Sequence, residues 1–158
     1  MIGTWTPAPR HDVVVTESTW RLTTVWDRWY ARLVAWIGTV SSVVGAVRVT
    51  AQAATIATTT LATTTLKTGV YRVSYALRIT RAATTSSSAT VTLGWTDGAV
   101  ACTVSGVAVT GNTTSTTQSD VVVLHVDGAT VLTYAVAYAS VGATTMTFAL
   151  DVQAEELT

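Results

Sequence analysis

The stretch that decides the fold runs from residue 69 to residue 98: GVYRVSYALRIT (69–80), RAATTSSSA (81–89) and TVTLGWTDG (90–98). In its first part Tyr71, Val73, Tyr75, Leu77 and Ile79 alternate with Arg72, Ser74, Ala76, Arg78 and Thr80. A period of two sends successive side chains to opposite faces, so this run reads as a strand with one apolar face. A Ser/Thr loop follows. A second alternating run, Val91, Leu93 and Trp95, then stops at Thr96-Asp97-Gly98, the chemistry of a tight turn. The block carries no nucleophile beside a base and no ligand cluster, which points to a display or structural module rather than an enzyme.

Working outward, the composition supports a β-rich globular domain. About a fifth of the 158 residues are Thr, and Val is abundant; both are stiff at Cβ and favour strands. Apolar residues make up 49% of the chain and charged residues only 11%, which excludes disorder over most of it. The formal net charge is zero without basic or acidic runs, so phosphate-driven nucleic-acid binding is disfavoured. Low charge also leaves little repulsion between copies, which suits a protein that works assembled. Cys102 is alone, so it is expected as a small buried hydrophobe and not as part of a disulfide or multi-cysteine metal site. The N-terminus MIGTWTPAPRHD has no basic start followed by an apolar core, and no run is long enough to span a bilayer; neither a secretory signal nor membrane insertion is expected.

Three segments follow. Residues 1–18 hold Pro7 and Pro9, Trp5, and the run Val13, Val14, Val15. Pro-x-Pro disfavours helix, so an extended arm is expected, laid against another protein or a neighbouring copy. Residues 19–38 change character: Leu22, Trp26, Trp29, Leu33 and Trp36 recur at the a/d spacing of a heptad, with Trp20 just before them. Three arrangements fit this amphipathic helix: packing on its own domain, self-association as a bundle or stalk, or lying on a membrane surface. Gly38, Ser41, Ser42 and Gly45 are poor helix formers, so the helix is expected to end near Ile37 or Gly38. Residues 39–158 read as an all-β domain of about eight antiparallel strands. Val43–Thr50 is the first strand. Ile56, Leu61 and Leu66 recur every five residues, which fits an irregular edge strand and loop anchored by apolar side chains. A strand over 99–110 carries Gly106 at a bulge, Asp120–Val126 forms a hairpin with Thr130–Tyr138 across Asp127-Gly128, and Met146, Phe148, Leu150 and Val152 alternate in the last strand.

The side chains able to carry chemistry are few. His11 lies in the arm and His125 in a strand. A Ser-His-Asp triad would draw on His125 with Asp127, two residues on, but no nucleophile elbow accompanies them, and a solvated strand-face histidine is the simpler reading. Asp97 and Asp127 both sit in Asp-Gly turns, where Asp has a local structural role. Calcium would require those turns to meet, and neither has an EF-hand ladder of oxygens. Glu155 and Glu156 read as a solvated strand end. No phosphate-binding glycine loop occurs, and no catalytic, cofactor-binding or metal residues are assigned. The aromatics Tyr71, Tyr75, Trp95, Tyr134, Tyr138 and Phe148 are read as core, with some of them lining a subunit contact, since Tyr tolerates a half-wet position.

Residues 54–157 resemble the jelly-roll β-sandwich modules of bacteriophage virion proteins, and the trimeric tumour-necrosis-factor-like and complement-globular-head-like jelly rolls. The likeness rests on TTTLKTGVYRVSYALRIT, above all Gly-Val-Tyr-Arg-Val-Ser-Tyr at 69–75, the VDGATVLTYAVAY segment and the closing FALDVQAEEL strand. It covers about two thirds of the chain. It implies a homotrimeric virion structural protein assembled in the host cytoplasm: a capsid decoration or head fibre, bound to the major capsid protein or other virion proteins. Attachment would then fall to the unmatched N-terminal segment, through Trp5, Val13, Val14, Val15, Trp20, Trp26, Trp29 and Trp36. A tail-fibre or tail-tip adhesin is the alternative; its polar loops at 82–89 and 111–119 would touch a host glycan or receptor. A polysaccharide hydrolase acting through Asp97 or Asp127 is the third. No cofactor and no nucleic acid are implied.

Overall fold

The two alternating runs of the 69–98 block form strands that lie in different sheets. The computed structural model describes residues 24–37, 42–62 and 65–157. The chain divides into two compact units, Met1–Val40 and Ser41–Thr158. The arm at 1–18, with Trp5, Val13, Val14 and Val15, lies outside the described residues, as do Trp20 and the start of the expected helix.

In the first unit α1 spans Thr24–Ile37. Trp26, Trp29 and Leu33 are half-buried, and Tyr30 and Val34 are exposed. Asp27, Arg28 and Arg32 are exposed on the other side, so the helix is amphipathic as the spacing predicts. Trp26 and Trp29, one turn apart, meet edge to face with centroids 5.5 Å apart. Among the described residues no helix is long and apolar enough to cross a membrane.

The second unit is all-β. Its strands are β1 (Ser42–Gln52), β2 (Ile56–Thr60), β3 (Gly69–Arg81), β4 (Ser86–Asp97), β5 (Val100–Ser105), β6 (Val109–Thr110), β7 (Thr117–Val126), β8 (Thr133–Val141) and β9 (Thr147–Leu157). The first sheet has the order β1-β9-β3-β7 and the second β2-β8-β4-β5, with β6 also on β4; every pairing is antiparallel. The pairs nest: β1 with β9, β2 with β8, β3 with β7 and β4 with β6. The β3·β9 and β4·β8 ladders then join the nested pairs side by side.

One core cluster draws on both sheets, which makes the unit a β-sandwich. Tyr71, Val73, Tyr75, Leu77 and Ile79 of β3 point in, with Phe148, Leu150, Val152 and Ala154 of β9 and Leu124 and Val126 of β7. Ala89, Val91 and Leu93 of β4 and Tyr134 and Val136 of β8 face them. Ile56 opens the edge strand β2, and Leu61 and Leu66 are buried anchors beyond it, as the five-residue recurrence suggests.

Two local expectations need correction. Asp120–Val126 and Thr130–Tyr138 do not form a hairpin. β7 pairs with β3 in the first sheet, while β8 starts only at Thr133 and pairs with β2 and β4 in the second. Asp127-Gly128 does reverse the chain, with Gly128 at φ +87°, but the segment after it crosses between sheets. A period of two states which face a residue takes, never which strand lies alongside. Gly106 is not a bulge within one strand either. It separates β5 from β6, and its N–H donates to the Val91 carbonyl at 2.9 Å. A Cβ at Gly106 would stand 2.2 Å from the Tyr75 hydroxyl, so the glycine is needed for close approach. The Asp97-Gly98 turn behaves as read. Asp97 pairs with Val100 across a two-residue loop, and Gly98 has φ +59° at its first position, as a II′ turn requires.

Candidate functional site

The expected aromatic set is mostly interior. Tyr71, Tyr75, Tyr134 and Phe148 are buried, and Trp95 and Tyr138 are half-buried against the same core. The Tyr138 hydroxyl donates to the Met146 carbonyl at 2.7 Å, and its ring lies 6.0 Å from that of Phe148. The Tyr71 hydroxyl donates to the Lys67 carbonyl at 3.0 Å and accepts the Lys67 N–H at 3.2 Å. Burial, and next the negative charge of Glu156, push its ionisation above the ordinary tyrosine range. Burial and then Asp120 do the same to Tyr75, whose hydroxyl has no hydrogen-bond partner among the described residues. These side chains hold the sandwich together. Of the residues expected to attach the protein, Trp26 and Trp29 sit on the half-buried stripe of α1, and the Trp36 side chain lies outside the described residues.

At one end of the sandwich the two Asp-Gly turns do meet. Asp97 Oδ1 accepts the Asp127 N–H at 2.8 Å, and the Gly98 N–H donates to the Asp127 carbonyl at 2.8 Å. His125 Nδ1 lies 3.1 Å from the same Asp97 oxygen. The partner of His125 is therefore Asp97, from the other sheet, and not the sequence neighbour Asp127. The pair is largely exposed, and its contacts tie the β4–β5 hairpin to the β7–β8 crossover. Among the described residues no group of three or more His, Cys, Asp or Glu side chains is placed to hold a metal ion.

At the opposite end the polar loops at 82–89 and 111–119 come together. The Ala83 N–H donates to the Gly111 carbonyl at 2.9 Å, the Gly111 N–H to Ser87 Oγ at 3.0 Å, and Asn112 Nδ2 to the Thr85 carbonyl at 2.7 Å. The segment after Val141 joins them, with Thr84 and Thr144 exchanging hydrogen bonds of 3.2 Å. The result is a hydroxyl-rich, ordered tip.

The surface the sequence reading missed is the outer face of the first sheet. β3 sends out Arg72, Ser74, Ala76 and Arg78; β9 sends out Asp151, Gln153 and Glu155; β1 sends out Ala46 and Arg48. Cross-strand ion pairs join Arg48 to Asp151 at 3.3 Å and Arg72 to Glu155. Small side chains at the centre leave a depression of about 810 Å³, lined by Ala46, Arg48, Ser74, Ala76, Asp151 and Gln153 among others. Along its margin β7 presents Val121 and Val123, 56% and 62% exposed. The signal was legible in Asp120–Val126. A strand with Val122, Leu124 and Val126 on one face and Val121 and Val123 on the other is apolar on both sides, and such strands are normally covered on both. No protein-family model matches the chain, and no curated protein matches it.

Proposed function

We propose that this protein is a bacteriophage virion structural protein, a homotrimeric jelly-roll module that decorates the capsid surface or forms a head fibre. The observation that carries the reading is the nested pairing of β1·β9, β2·β8, β3·β7 and β4·β6. A long antiparallel hairpin rolled over a shared core is the wiring of a jelly roll. Two further features support an assembling role over a catalytic one. The chain is uncharged overall, so copies can crowd without repulsion. Its strongest polar cluster, Asp97 with His125 and the Asp127 backbone, is occupied in joining two turns. In this reading residues 1–38 bind the major capsid protein or another virion component.

The test is the copy number and position of the protein in intact particles, measured by quantitative mass spectrometry and electron cryomicroscopy. Many copies on the head, in multiples of three, are expected; a few copies confined to the tail would overturn the assignment. Deleting residues 1–18 is expected to spare folding and abolish attachment.

One observation favours a tail-tip adhesin as the second reading: the convergence of the 82–89 and 111–119 loops at one end. That reading expects the purified domain to bind host cells and to lose binding when Thr85, Ser87 and Asn112 are replaced by Ala.

A further inference from the structure

We infer that copies of this chain are tied together by strand addition: the segment Asp12-Val13-Val14-Val15 of one copy pairs antiparallel with the open edge of β7 in the next. The inference rests on the self-assembling reading above and names the contact that reading leaves open.

Among the described residues β7 is the one long edge left unprotected. It ends the first sheet, and its ten residues pair with β3 in unbroken register. It holds no Pro, no Lys and no bulge. The other edges are blunted: β1 by two register shifts and by Ala51 at φ 52°, β2 by its length of five residues, β5 and β6 by lengths of six and two. The Val121 N–H donates to Asp120 Oδ1 at 2.8 Å, so it points away from β3. Backbone groups alternate in direction along a strand, so Ser119, Val123 and His125 turn theirs to the same open side. Val122 is only half-buried at the margin of the core, and Val121 and Val123 are more than half exposed. Such an edge calls for an extended strand that is apolar on both faces.

The chain carries such a segment outside the described residues. Asp12-Val13-Val14-Val15 repeats Asp120-Val121-Val122-Val123 residue for residue. Antiparallel pairing of Val14 with Val122 sets Val13 and Val15 against Val123 and Val121, whose backbone groups face outward, and brings Val14 over the core margin. Thr16 then falls opposite Asp120, and its hydroxyl can donate to the carboxylate that the Val121 N–H leaves. The parallel direction, with the two tetrapeptides in register, would oppose Asp12 to Asp120, like charge to like. The nine residues from Val15 to Thr24, where α1 begins, span about 30 Å when extended, the width of a small domain. Each copy gives one segment and receives one. Such head-to-tail exchange closes into a ring when the rotation permits, and three copies satisfy the homotrimer.

Sedimentation mass and amide hydrogen exchange of the full-length chain test this. Val15→Pro removes an N–H that the added strand needs, and it lies outside the compact unit Ser41–Thr158, so the thermal midpoint of the sandwich is expected to stay unchanged. The variant is expected to weaken association by roughly tenfold or more and to speed exchange at the Val121 and Val123 amides by a similar factor. Val123→Lys puts a charge at an exposed edge position and is expected to weaken association likewise. Trimers and exchange rates unaffected by Val15→Pro would overturn the inference and leave self-assembly standing. Faster exchange at an unchanged trimeric mass would place the segment on the edge of its own copy and overturn the exchange between copies. A wild-type monomer at micromolar concentration would overturn both readings.

Discussion

The two outer faces of the sandwich differ although the inner faces are alike. The second sheet turns out Ser88, Thr90, Thr92, Gly94 and Thr96 from β4, Ala135, Ala137 and Ala139 from β8, and Thr103 and Ser105 from β5. Its contacts are between hydroxyls and backbone: Thr92 with Ser105 at 2.9 Å, and Thr133 Oγ1 donating to the Gly94 carbonyl at 3.1 Å. The first sheet turns out arginines, carboxylates and valines, with two cross-strand ion pairs. Inward positions of both sheets are constrained by packing and read the same. Outward positions are free of that constraint, and there the two sheets diverge. The outer face of the first sheet thus carries its exposed valines along the β7 edge and its charged and small side chains on the central strands.

Inner and outer positions can be set against each other experimentally. Phe148→Ala, at a fully buried inner position, is expected to cost about 3–5 kcal/mol in urea unfolding, because it deletes an aromatic from a close-packed core. A cost under about 1 kcal/mol would mean that the shared core is not what holds the two sheets. Gly106→Ala comes next, at about 1–3 kcal/mol, since the added methyl meets the Tyr75 hydroxyl. Combining it with Tyr75→Phe is expected to recover part of that loss, and strict additivity would show that the hydroxyl is not the obstacle. Tyr75→Phe alone is expected to change stability little at neutral pH, because the hydroxyl it removes has no partner. Its effect lies at alkaline pH. A tyrosine whose ionisation is raised by burial holds its proton in the folded state after the unfolded chain has lost it, so stability falls as pH rises above about 10. The phenylalanine variant is expected to lose less there, and an identical pH profile would contradict the assignment. Smallest of all, Thr92→Val on the second sheet is expected to stay within about 0.5 kcal/mol and to leave the oligomeric mass unchanged. A change in mass would show that the outer face of the second sheet takes part in assembly.

Much of the fold was legible because burial imposes a period. Tyr71 to Ile79 and Phe148 to Val152 announce their inner faces by alternation, and the Asp97-Gly98 turn announces itself because few residues tolerate φ +59°. The hairpin expected across Asp127-Gly128 failed because that turn serves equally to leave a sheet. The bulge expected at Gly106 failed because the demand on that glycine comes from Tyr75, 31 positions earlier in the chain. The outer face of the first sheet was half legible. Val121 to Val123 break the alternation in plain view, but nothing local says that their neighbours on the same surface are Arg72 and Ser74.

By itself, then, the sequence determined which side chains face inward, where the chain must turn tightly, and that the amphipathic helix precedes a β domain. These are properties of short windows, governed by backbone geometry and the removal of apolar surface from water. Only the tertiary structure decided which strands lie side by side, that His125 answers to Asp97, and that one outer face gathers valines, paired charges and a depression. Those depend on pairings between residues far apart in the chain, and such pairings are settled by the packing of the whole sandwich.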